Sequence, residues 1–251
     1  MIDRAISREA QYKALCLGLK TGIPMGSVPI PTSLFMERAP EENVVFAVAN
    51  SRPEVGNMSA QYFEEWYKPT FYDYVNNKNG MDLFVYLFAP NHILNQRRAE
   101  RDRCGEDQYE NEYMNVVSDT FFRWVMEKAA QKKVLVLDWT KYQDPVLVLA
   151  EISKYLKNPE LLPNLTVIDA KTLCSSGDIE RDVTPQPKPF NHTILDLVSV
   201  SFKTASIIET DEAGDTSHCY VDTSDIERRR QAQYLILKKL AAGTSNLTVA
   251  L

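Results

Sequence analysis

Apolar residues along this chain follow two rhythms, a three-to-four-residue spacing and short unbroken runs, which predict helices and buried strands in alternation. Ala5, Ala10, Ala14, Leu15 and Leu19 fall near helical spacing over residues 5–20, and the pattern stops at Gly22 and Pro24. A loop rich in Pro and Gly leads into SLFMER (33–38), an apolar run that ends in Glu37 and Arg38 and reads as a buried strand. Helical spacing resumes over 41–49. It returns over 59–75, with Ser59 as N-cap and a kink expected at Pro69. DLFVYLFAP (82–90) predicts a second strand over 82–88, and VLVLDW (134–139) a third that ends in Asp138. Helices are expected over 111–128 and 144–158, the latter with Asp144 as N-cap and Pro145 at its first position. This strand–helix alternation predicts an α/β fold, a parallel sheet with helices on both faces.

Beyond residue 158 the texture changes. LTVIDA (165–170) reads as a further strand, and 175–191 as a linker rich in polar residues and proline. Two extended segments around DEAGD (211–215) predict an antiparallel hairpin, and 224–243 a capped helix that ends at Gly243. The chain therefore divides into a domain over 1–157 and a C-terminal α+β extension over 158–251.

The sharpest chemical feature is the density of arginine just past the second strand. Arg97, Arg98, Arg101 and Arg103 fall within seven residues. Ligands of open α/β sheets bind at the carboxyl ends of strands, and planar guanidinium forks there suit phosphate or carboxylate. The competing reading is a solvated helix face, since Glu100 and Glu106 are interleaved.

The net charge of −6 argues against a general nucleic-acid binder and makes the local arginine cluster stand out as a site for a small anion. Cys16, Cys104, Cys174 and Cys219 form no CxxC pair, which points to neither a metal site nor a disulfide framework. No apolar run reaches membrane-span length and no secretory pattern opens the chain, so a cytoplasmic or mitochondrial setting is expected.

Three stretches together resemble the deoxynucleoside kinases, the thymidine/deoxyguanosine/deoxycytidine kinase family. MERAPEEN (36–43) is similar to that family's E-R-S motif. The strand 82–88 and the segment behind it resemble the family's arginine-rich LID, R-x-x-x-R-x-R-x-x-E, with Arg97, Arg101, Arg103 and Glu106 at the matching positions. Tyr113 to Trp124, followed by VLVLD, matches the next helix and last core strand in spacing. The resemblance spans roughly residues 8–157.

The resemblance implies phosphoryl transfer from ATP, with Mg²⁺, to the 5′-hydroxyl of a deoxynucleoside, a nucleotide-salvage reaction. It implies that Glu37 and Arg38 act beside the 5′-hydroxyl and phosphates. Arg97, Arg101 and Arg103 would close over the donor phosphates. Gln11 and Asn43 would face the base, and Glu106 would hold the sugar 3′-hydroxyl. No protein-only metal site is implied. Nucleoside and nucleoside triphosphate are the implied partners, along with a homodimer.

Departures from the pattern define a second reading. The family's phosphate cradle, G-x-x-x-x-G-K-[ST], does not occur in the sequence, and Ala39 stands where E-R-S has serine. The catalytic glutamate after the family's second strand has no counterpart. A kinase-like sheet without its first strands needs ladder partners from upstream residues, from a later segment such as 165–170 or the hairpin, or from a partner protein that completes the sheet. On this reading the chain is a non-catalytic, kinase-derived accessory subunit of a larger assembly, for which the mitochondrial complex I subunit of the same fold is the precedent. A third reading is a nucleotide-binding module without kinase chemistry.

Overall fold

The computed structural model describes residues 35–37, 40–69, 81–102, 111–168, 204–210, 216–222, 225–243 and 246–250. Helix α1 (Pro40–Ser51) comes first, then a single turn α2 (Ala60–Tyr62) that widens into a π-helical turn, Phe63–Tyr67. Strand β1 (Phe84–Phe88) leads into α3 (Asn91–Arg101), and the long helix α4 (Asn111–Ala130) leads into β2 (Val134–Asp138). Helix α5 (Pro145–Lys157), a 3₁₀ turn (Pro159–Leu161) and β3 (Leu165–Ile168) follow. The chain then forms β4 (Thr204–Thr210), β5 (Thr216–Asp222), α6 (Ile226–Ala241) and β6 (Leu247–Ala250).

Several local signals act as the sequence predicts. The Ser59 hydroxyl accepts from Tyr62 N at 3.1 Å. The Asp144 carboxylate accepts from Val146 N at 2.8 Å, with Pro145 opening α5. Asp225 caps α6, accepting from Glu227 N at 2.7 Å, and Gly243, at φ +73°, ends it. The helix expected over 59–75 takes the wider π form because Phe63 and Tyr67 both turn inward and stack, their ring centroids 5.7 Å apart. Its last expected turns lie outside the described residues. So do the helix expected over 5–20, the linker 175–191 and the DEAGD turn.

β1 and β2 pair in parallel, Phe84 opposite Val134 and Phe88 opposite Asp138. One face of the pair carries Phe84, Phe88, Val134 and Val136 and is sealed by α4 and α6. Phe84 meets Trp124 of α4 edge-on at 4.8 Å, and Ile236 and Leu237 of α6 join the same cluster. Behind the other face, Ile152, Val148 and Tyr155 of α5 pack on Leu135 and Leu137 of β2. Helices thus lie on both faces at β2. At β1 the second face stays open: Val85 is 38% and Leu87 46% exposed.

Two expectations are corrected. The run 33–38 does not continue as a strand through its described residues: Phe35 is 65% exposed and Glu37 sits in a bend. Phe35 and Met36 have no ladder partner among the described strands, and only Met36 packs against the core, so the run lacks the pairing that stabilises a strand. The later segments do not fill the β1–β2 sheet either. β3, the strand expected over 165–170, pairs in parallel with β6, and the hairpin β4–β5 joins β6 antiparallel, giving a separate four-stranded sheet in the order β3-β6-β4-β5. Its inward residues Leu165, Val167, Leu247 and Val249 nevertheless enter the same hydrophobic cluster as Phe84 and Val134.

Charge ties the last helix to that core. Asp119 of α4 accepts from Arg229 Nη1 at 2.9 Å on one oxygen and from Gln233 Nε2 at 2.8 Å on the other. Arg123, one turn further along α4, is only 5% exposed. Burial, and then the nearby Arg52 guanidinium, press its pKa down to about 9; Asp119 opposes them, Arg229 adds to the depression and Glu54 opposes it. Arg123 therefore stays cationic at neutral pH, and Asp119 serves two guanidinium groups at once. Removing Asp119 leaves a buried cation without its main compensation. Asp119→Ala is expected to lower the unfolding free energy of the full chain by about 3 kcal/mol in urea titrations, against a much smaller loss for Glu54→Ala.

Tyrosine burial sets an alkaline limit. Burial pushes the Tyr86 phenol up to about 12 from 10.0 and raises that of Tyr67 further still. An unfolded chain releases these protons near pH 10, so the folded state holds more protons than the unfolded one between the two values. Stability should fall as pH climbs from about 10 to 12, and phenolate absorbance should show two tyrosines titrating late while the chain stays folded.

Candidate functional site

β1 delivers the chain into the arginine segment with only Ala89 and Pro90 between strand and helix. Pro90 stands at the N-cap of α3 in an extended conformation, so the helix starts at the carboxyl end of the strand. None of its eleven residues is buried. A helix of this length is marginal in water and depends on contacts outside itself. It ends at Asp102, whose φ of +43° is left-handed and whose N–H donates to Arg98 O at 3.2 Å. Aspartate tolerates that conformation better than most side chains.

Arg97 and Arg101 are one turn apart and share a face. Arg97 is held by the turn that follows β2. Its Nη2 donates to Thr140 O at 3.1 Å, and its guanidinium lies 4.6 Å from the Tyr142 ring centroid. The turn is fixed in its own right. Asp138 Oδ1 accepts from Thr140 N at 2.8 Å and from the Thr140 hydroxyl, while Gln143 Nε2 donates to Asp138 O at 2.7 Å. Trp139 N donates to Phe88 O at 2.7 Å, and the Trp139 and Tyr142 rings meet edge-on at 6.4 Å. The last residue of β2 thus sets the carbonyl that anchors Arg97. Tyr142 remains 77% exposed, an aromatic platform at the rim of the strand ends.

Arg98 differs from its neighbour. Its Nη1 is closed off from solvent and has no hydrogen-bond partner among the described residues. A guanidinium donor withdrawn from water and left unsatisfied is costly, and an arriving anionic oxygen would relieve that cost. On the outer side of α3, Gln96 Nε2 donates to Glu100 Oε1 at 2.8 Å, an exposed i,i+4 pair of the kind expected of a solvated face. The two readings of the segment are therefore both visible on one helix.

The remaining sequence candidates scatter. Glu37 is exposed, in a bend. Asn43 sits on α1; its carbonyl accepts from the buried Tyr67 hydroxyl at 3.2 Å, and its Nδ2 is buried without a partner among the described residues. Gln11, Arg38, Arg103 and Glu106 lie outside the described residues. Among the described residues the structure brings Arg97, Arg98 and Arg101 together at the ends of β1 and β2. Sequence reasoning missed Thr140 and Tyr142, although a polar and aromatic run (WTKY) directly behind an apolar strand is a visible signal. Among the described residues no three His, Cys, Asp or Glu side chains converge as a metal site. Mg²⁺ carried by a nucleotide needs none, since phosphates, water and one or two carboxylates usually complete its shell.

A family model described as deoxynucleoside kinase matches residues 27–157, just over half of the chain. The match runs from before α1 to the end of α5 and takes in both β1 and β2 with the arginine helix between them. No curated protein and no solved structure matches the chain. An arginine helix set behind the first of two parallel strands, inside a match that covers most of the α/β part, fixes the assignment: the chain belongs to the deoxynucleoside kinase family.

Proposed function

We propose that this protein binds a nucleoside triphosphate at the carboxyl ends of β1 and β2 and serves phosphoryl transfer from ATP to the 5′-hydroxyl of a deoxynucleoside. The observation that carries the reading is the buried Nη1 of Arg98, unpartnered among the described residues, beside the anchored Arg97 and exposed Arg101. Three cations on one short helix neutralise a triphosphate and the charge that spreads over the transferred group. Arg97, fixed by Thr140 O and Tyr142, orients the helix. Arg98 and Arg101 supply donors to the phosphates, joined by Arg103 in the segment that follows, while Glu106 holds the sugar 3′-hydroxyl. Glu37, Arg38, Asn43 and Gln11 take the nucleoside side in this reading, and Mg²⁺ arrives with the phosphates.

A second reading is favoured by the open flank of β1. Val85 and Leu87 present apolar side chains to solvent beside a strand edge to which no described strand pairs. Such a flank suits a partner protein that completes the sheet, as an accessory subunit of a larger assembly would. Gel filtration of the native protein separates the two: migration in a large assembly supports the accessory role, and a free monomer or dimer removes it.

Replacing Arg98 gives the most discriminating test of the nucleotide reading. Arg98→Ala should weaken ATP binding by about tenfold in calorimetry, while the ligand-free melting temperature holds or rises because an unsatisfied buried donor is gone. Unchanged ATP affinity, or a collapse in ligand-free stability, would count against it. Turnover is judged separately, by incubating the full chain at high concentration with Mg²⁺–ATP and each deoxynucleoside. ATP binding without any phosphorylated product would reduce the reading to a nucleotide-binding module.

A further inference from the structure

The last helix of the chain reaches the arginine helix directly. Arg230 and Tyr234 are one turn apart on α6 and bracket the short connection between β1 and α3. The Tyr234 ring meets Phe88, the final residue of β1, edge-on at 5.7 Å. With its carboxamide oxygen turned toward α6, Asn91, the first residue of α3, accepts from Arg230 Nη1 and from Nε, the latter at 3.1 Å. One side of the four-residue span 88–91 is thus gripped at both ends by a single helical turn. That turn is itself anchored, because Arg229 and Gln233 occupy both oxygens of Asp119 and Ala232, Ile236, Leu237 and Leu240 are buried.

α3 needs such support. It buries no residue of its own, and Arg97 ties it to the turn after β2. Arg97 holds the helix near its middle, and Arg230 holds it at its start. Two anchors separated by nearly two turns fix both the position of a rod and its direction, which a single anchor cannot do. We infer that Arg230 and Tyr234 are positioning residues: the C-terminal helix sets the angle at which α3 leaves β1 and so aims Arg98 and Arg101 at the anion. The inference rests on the reading of α3 as a phosphate-binding helix, and it gives the segment beyond the family match a part in the site. Arg230 is charged, but its guanidinium is engaged by Asn91, so its effect on the anion runs through the helix it holds.

The test uses the full chain and two readouts. In hydrogen exchange without ligand, Arg230→Ala should speed exchange of the α3 amides by about tenfold, the loss of a charge-assisted bond, while α4 and β2 exchange as before. Asn91→Ala removes the same bond without altering charge and should do the same; Arg230→Lys, which keeps one donor, should fall between. The second readout is binding of inorganic tripolyphosphate. Asn91→Ala should weaken it several-fold even though every arginine remains. Unchanged α3 exchange in both Arg230→Ala and Asn91→Ala would overturn the inference, as would acceleration spread equally over α4 and β2. Faster α3 exchange with undiminished tripolyphosphate affinity in Asn91→Ala would overturn the link to anion binding. If the unaltered protein fails to bind tripolyphosphate, the nucleotide reading falls, and the exchange data still decide whether α6 positions α3.

Discussion

Asp119 is the joint on which this molecule hangs together. It lies on the central helix of the core, and both of its oxygens are taken by side chains from a helix more than a hundred residues later in the chain. Its charge also answers Arg123, a guanidinium buried in the same helix. A carboxylate shared in this way cannot be given up cheaply, because each partner would be left in low dielectric with too little negative charge. The consequence is geometric as much as energetic. Once α6 is registered against α4 at Asp119, the adjoining residues of the same turn fall on the β1–α3 connection, and its apolar side closes over the face of the parallel pair. One ion-pair network thereby determines where the chain's final helix lies with respect to the arginines.

The two strands that form the floor of the site are short, and the site depends on what surrounds their ends. Asp138 stabilises the turn that follows β2 and presents the Thr140 carbonyl to Arg97. Phe88 at the end of β1 is tied to Trp139 through the backbone and to Tyr234 through its ring. Membership of the deoxynucleoside kinase family places this arrangement in a setting where phosphoryl chemistry is the family's business. The contacts that α6 makes with the start of the arginine helix come from beyond the matched span.

Much of the local structure was legible because its causes are local. Asp144 with Pro145, Ser59, and Gly243 act within one turn of chain, and the apolar runs of β1 and β2 need only be recognised as too long and too branched to lie in solvent. The arginine cluster was equally plain. What could not be read is what long-range packing decides. Phe35 and Met36 belong to a run that looks like VLVL in composition, but no described strand lies against them. LTVA at 247–250 is too short to single out, yet it becomes the strand that joins β3 to the hairpin because Asn164, Leu165 and Val167 happen to face it. That Arg97 is the arginine anchored there depends on Thr140, forty-three residues away, and no periodicity carries that information.

The position of β6 within the second sheet governs how the protein can be made. β6 lies between β3 and β4, so neither the strand after α5 nor the hairpin has its sheet partner until the residues of β6 exist. The contact that closes Asn164 against Asn246 spans 82 residues. During synthesis, β3 would wait with an unpaired edge and with Leu165 and Val167 searching for cover. Pairings of this range are slow to close, and waiting edges invite the wrong neighbour. A chain built this way favours a late, concerted closure of its core over sequential assembly from the N-terminal side, and the demand for chaperoning should peak just before β6 emerges.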